Sequence, residues 1–217
     1  MLWLKESIKK SKKMKDSYSL NGVQIYIKDP LPDTLNMDHV IAHVSKRVPN
    51  FLMKGVDIIY VGDFDYFQSK EVNALFKDGA IYVTNDQDNE QDMIDDIVHE
   101  IAHSVEEEFS NLIYGDGKLN KEFLGKRRTL YRVLKSQGFD IDPMFKIVPE
   151  YNKEIDDFLY KDVGYVLLNN LVNGIYISAY AATSLREYFA RGFEEFFIGE
   201  RYELYKLSPV LYFRLQS

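Results

Sequence analysis

Cysteine is absent from the 217 residues. No disulfide framework therefore holds the fold, and at this length folding buries roughly 70% of the unfolded surface, enough for a core that needs no such staple. The same absence fits a reducing compartment, and equally a chain that avoids thiols altogether. Long apolar runs are missing too. Nothing approaches the roughly 20 consecutive apolar residues of a membrane-spanning helix. Met1-Leu2-Trp3-Leu4 is far shorter than the apolar stretch of about 7 to 15 residues in a secretory signal, so neither a membrane span nor export by that route is expected. Internal repeats, low-complexity tracts and Pro/Gly/Ser-rich linkers are also lacking, which leaves no natural place to split the chain. An excess of positive charge is missing as well: 27 Lys and Arg stand against 34 Asp and Glu, a net charge of -7 and a pI near 5.2. That is the wrong sign for coating nucleic acid, and no nucleic-acid partner is expected.

What is present reads as an ordinary globular protein, 46% hydrophobic and 28% charged. Lys5, Lys9, Lys10, Lys12, Lys13 and Lys15 face only Glu6 among the first fifteen residues, which predicts a basic arm over residues 1–17 ahead of a single domain over 18–217. Val23–Ile27, Val56–Val61 and Ala80–Thr84 are rich in β-branched residues and bounded by turn residues, so three strands are expected. A short helix is expected from Thr34 to Arg47, closed by Pro49. From Met93 to Phe109 the apolar positions Met93, Ile94, Ile97, Val98, Ile101, Ala102, Val105 and Phe109 recur at helical spacing behind acidic and amide caps. Later helices are expected at about 121–137, 150–170 and 184–199, with a last short one from Ser208. Strands early and helices late describe an α+β fold, a small N-terminal sheet packed on a mainly helical domain.

The chemistry sits on the best-defined helix as His99-Glu100-Ile101-Ala102-His103. Histidines four apart project from consecutive turns of one face, so both imidazoles can reach one zinc ion with Glu100 beside its open position. With 4 His and 15 Glu in the chain, shuffling would produce this pattern about 0.004 times, so chance is a poor explanation. Asp95, Asp96 and Glu106 lie within a turn or two and are candidates to orient the imidazoles. His39 and His43 share the four-residue spacing without an intervening glutamate, and core packing or partial exposure is the better reading of them. A catalytic zinc takes three protein ligands. No histidine follows His103, so the third ligand is expected to be a carboxylate on a later helix, with Glu187, Glu194 and Glu195 as candidates.

His99-Glu100-Ile101-Ala102-His103-Ser104-Val105-Glu106-Glu107, with Tyr180 and Glu187-Tyr188-Phe189-Ala190 downstream, resembles the catalytic domain of anthrax lethal factor and the related Pro-Pro endopeptidases. The resemblance covers about a fifth of the chain. It implies a zincin-like fold, one zinc ion held by His99, His103 and Glu187, and Tyr180, seven residues before Glu187, as a donor to the tetrahedral intermediate. It also implies that Ile81, Tyr82 and Val83 form the edge strand along which an extended substrate pairs. Two features depart from the family. Arg191 stands where the family has a second glutamate, and residues from about 111 to 176 form a helical insertion. Arg191 is expected to turn toward Asp95, Asp96 or Glu106 as part of the support around the metal.

The expected function is a zinc-dependent endopeptidase with Glu100 as general base, acting on a peptide or protein substrate. The alternative is a structural or assembly protein that keeps the fold with little or no turnover. The basic arm and a Lys-, Asn- and Tyr-rich chain without a signal suit a bacteriophage virion component. Through the arm or the insertion it would join a larger protein assembly. The expected location is accordingly cytoplasmic or virion-associated.

Overall fold

In a computed structural model, residues 18–70 and 72–217 are described, apart from the side chains of 68–70. The expected basic arm at 1–17 lies outside them. The chain is α+β, as expected: its strands come first and its long helices follow. It divides into two compact units, Met1–Val105 and Glu106–Ser217.

The first unit is built on a five-stranded mixed sheet in the order β1-β2-β3-β5-β4. Strands β1 (Tyr18–Leu20) and β2 (Val23–Ile27) form one antiparallel hairpin, and β4 (Ala74–Lys77) and β5 (Ala80–Val83) form another. Both turns use the same device. Asn21-Gly22 and Asp78-Gly79 all have positive φ, the backbone of a two-residue turn whose twist matches the flanking strands. Between the hairpins, β3 (Ile58–Val61) pairs in parallel with β2 and β5. Register sorts the faces: Ile25, Ile59 and Ile81 are buried, while Tyr26, Tyr60 and Tyr82 align on the opposite face with neighbouring rings 6.0 and 5.3 Å apart. Helix α1 (Met37–Arg47) is capped by the Asn36 side chain and buries Met37, Val40 and Val44. Helix α2 (Asp65–Lys70) precedes the second hairpin.

Helix α3 (Glu90–Tyr114) has a non-helical residue at Phe109 and crosses the unit boundary. Its buried stripe Met93, Ile94, Ile97, Val98, Ile101, Ala102 and Val105 follows the expected one, except that the last expected member, Phe109, sits at the non-helical position and is only half-buried.

The regular secondary structure of the second unit is all helical. Helix α4 (Lys118–Ser136) buries Leu119, Phe123, Arg127, Leu130 and Leu134 along one face. The helix expected at 150–170 is instead three pieces: α5 (Lys153–Asp157), a π-helical turn (Phe158–Val163) and α6 (Tyr165–Leu171). Gly164 at φ 77 breaks the helical path between the last two. Helices α7 (Leu185–Phe197), α8 (Arg201–Leu207) and α9 (Pro209–Gln216) complete the unit. The Glu122 carboxylate accepts from the Tyr188 hydroxyl and from the backbone N–H groups of Val210 and Leu211, a charge suited to the α9 N-terminus.

Candidate metal centre

His99 and His103 project from successive turns of α3, and their rings stand edge to face with centroids 4.7 Å apart. The two Nε2 atoms are 3.1 Å apart. Two imidazole nitrogens on one tetrahedral ion, each about 2.0–2.1 Å from it, lie roughly 3.3 Å apart, so the observed separation fits a shared cation. His99, His103 and Glu187 each offer a ligand atom, and these atoms lie within 4.8 Å of one another. Two imidazoles and a carboxylate are a donor set suited to zinc. These residues could hold a metal ion.

Glu100, between the histidines, is 6% exposed. Its Oε2 accepts the backbone N–H of Phe76 at 2.5 Å. Lys77 and Ala80 flank the two-residue turn, and Thr84 N donates to Asn73 O. Alternation along this ladder therefore points the N–H groups of Ala74 and Phe76 away from β5, toward the outer side of the edge strand. β5 itself lies between β3 and β4 and is paired on both sides at Ile81, Tyr82 and Val83. This corrects the expected edge: among the described residues the outermost strand at this end of the sheet is β4. The error came from missing Ala74–Lys77, whose four residues carry too little alternation to announce a strand.

Glu187 lies in the first turn of α7, where its N–H donates to the N-cap Ser184 Oγ at 3.1 Å. Ser184-Leu185-Arg186-Glu187 is a helix-start signature that could have marked this position from the sequence. Of the other candidate ligands, Glu194 Oε2 pairs with Arg191 and Glu195 Oε1 accepts from Glu200 N. Arg191 is therefore not turned as expected. Its ion pair, at 2.6 Å, is one turn along its own helix, a contact the helix makes without any long-range closure. The arginine beside Glu106 is Arg186, at 3.4 Å. Tyr114 donates to Glu106 at 2.7 Å, and burial, reinforced by Glu106, pushes its phenol far above the ordinary range. Asp95 and Asp96 accept from Gln91 and Gln87.

Further surroundings of Glu187 come from the 150–165 segment. Burial raises Asp156, with Asp157 and Glu187 adding to the effect, while the Tyr151 hydroxyl, donating at 3.3 Å, opposes it. Tyr165 is pushed up to about 12 by burial, with Asp156, Tyr160 and Glu187 contributing. Tyr180 opens a short 3-10 turn, is 41% exposed, and accepts from Thr183 N and Oγ1 at its backbone carbonyl. His39 is 3.4 Å from Glu90 and mostly exposed, away from any metal-binding group of three among the described residues.

One positioning residue was missed. Arg127 is fully buried and donates to the carbonyls of Phe145, Val148, Ala182 and Thr183, fixing the backbone that leads into α7. Its guanidinium also lies over the Phe123 and Phe145 rings. Burial lowers it to about 10, so it stays charged at neutral pH. Its position in register with Leu119, Phe123, Leu130 and Leu134 is the signal, an arginine inside an apolar helix stripe. No family model, curated protein or solved structure matches the chain.

Proposed function

We propose that the chain is a zinc-dependent endopeptidase of the kind its resemblance to the lethal factor and Pro-Pro endopeptidase family implies. The observation that carries this reading is the His99, His103 and Glu187 group, with a buried glutamate between the two histidines on the same helix. When bound, zinc in such a ligand set lowers the pKa of water toward about 7 and polarises a carbonyl. Glu100 accepts the proton of the attacking water and returns it to the leaving amine. Tyr180 donates through its hydroxyl to the oxyanion that develops in the transition state. An extended substrate pairs with the outer edge of β4, where Ala74 and Phe76 direct backbone groups outward.

The test is Glu100→Gln, which removes the base and leaves both imidazoles. Zinc content should stay at one per chain while cleavage of a peptide library collapses. Unchanged turnover sinks the mechanism. If the wild type holds zinc yet cleaves nothing, the assembly reading takes its place.

A further inference from the structure

The outer face of α4 carries a second cluster, independent of the peptidase reading. Lys121, Gly125, Arg128, Arg132 and Lys135 follow one another at steps of four and three, a single stripe along the helix. Lys135 is neutralised by Asp140 at 2.8 Å. Arg128 and Arg132 have no carboxylate partner among the described residues. Arg132 instead folds onto its own helix, donating to Arg128 O at 3.3 Å and Thr129 Oγ1 at 3.2 Å. From the 3-10 turn Pro143–Lys146, Lys146 brings its Nζ to 4.5 Å from the Tyr131 ring centroid, and it too lacks an acidic partner among the described residues. Beside them lies a cavity of about 420 Å³, broadly open to solvent and lined by Gly125, Arg128, Tyr131, Arg132 and Lys146, mostly through apolar surface. The lining has three cations and no carboxylate, in a chain whose net charge is -7.

Gly125 adds an observation of a different kind. Glycine in the middle of a helix is unfavourable relative to alanine, and packing does not call for it here. A Cβ at this position meets only the Arg128 guanidinium, at an ordinary 3.7 Å. What glycine does is leave the floor of the cavity open to close approach. Three uncompensated like charges around an open floor repel one another until a multiply charged anion enters. Guanidinium groups match phosphate oxygens in paired hydrogen bonds, and an ammonium adds a point charge.

We infer that Arg128, Arg132 and Lys146, above Gly125, form a binding site for a compact phosphate-bearing ligand. The cavity falls in the size range of small-molecule sites. It exceeds one phosphate, and Tyr131 supplies an aromatic wall beside the charges. Three cations in one spot on an acidic molecule suit a compact polyanion better than an extended nucleic-acid strand, which needs a basic track.

Calorimetric titration of the full chain with inorganic pyrophosphate at low salt tests this. One saturable site is expected, weakened about tenfold or more by Arg128→Gln or Arg132→Gln, with Lys121→Gln, outside the lining, as a neutral control. Gly125→Leu keeps every cation but fills the floor, and should abolish binding. A parallel arm with ATP separates sources: equal affinity assigns recognition to the phosphates alone, and tighter binding adds Tyr131. No saturation below about 1 mM, or equal losses in Lys121→Gln and Arg128→Gln, overturns the site. A single-stranded oligonucleotide that outcompetes ATP overturns the compact ligand.

Discussion

At the scale of single residues, His103 is 5% exposed and Glu100 6%, so the side chains on which the proposed chemistry rests have little freedom to reorganise. His99→Ala, His103→Ala and Glu187→Ala should each lose most bound zinc by elemental analysis of the purified protein. Full retention in Glu187→Ala with loss in Glu194→Ala would move the third ligand along α7. Tyr180→Phe should keep zinc and lower turnover by about 10² to 10³, the scale of other lost oxyanion donors; unchanged steady-state rates would remove Tyr180 from the mechanism. The histidine pair was legible because its geometry is local, fixed by helical spacing alone. Spacing left Glu187 as one of three acids, since choosing among them requires long-range closure, and the family resemblance alone singled it out. Arg191 was misread for a related reason: spacing says which face a residue occupies, and a nearby acid at i+3 then captured it.

At the scale of elements, the Arg127 side chain links α4 to the Pro143–Lys146 turn, to Val148 just beyond it and to the segment that enters α7. Arg127→Met leaves buried carbonyls of Phe145, Val148, Ala182 and Thr183 without their donor, at about 1–3 kcal/mol for each strongly affected group. Denaturant unfolding should show a loss of at least about 3 kcal/mol, and a change below about 1 kcal/mol would show that water or a neighbour replaces the guanidinium. Long periodic helices were readable from the sequence, with α3 and α4 displaced by only a few residues. The 150–170 region was not, because its apolar periodicity persists through a π-helical turn and past Gly164, where the backbone departs from the helical path. The β4–β5 hairpin was half seen. Asp78-Gly79 advertises a turn, but β4 holds too few alternating residues to be recognised without its partner.

At the scale of the whole molecule, fold class was legible because strands and helices occupy different parts of the chain. Stability should carry a pH signature from Lys126, whose Nζ donates to Ile175 O and Leu207 O at 2.5 Å. Burial lowers it from 10.5 to about 8. Between those values the unfolded chain holds the proton that the native state has released, so this contribution to stability rises with pH and is flat below about 8. Thermal unfolding from about pH 7 to about pH 10 should show the gradient, and Lys126→Met should remove it; an identical profile in the variant assigns the gradient elsewhere. The bond between Glu100 and the Phe76 amide has a kinetic corollary. In the proposed peptidase mechanism the proton acceptor and the strand edge share one donor, so whatever claims that amide also unfastens the acceptor. A peptide long enough to claim the amide would switch the catalyst on by arriving, while a truncated one would occupy the metal and leave the base tethered. Substrate length would then register in kcat, not in KM alone, and the resting protein would be guarded against hydrolysing chance passers-by.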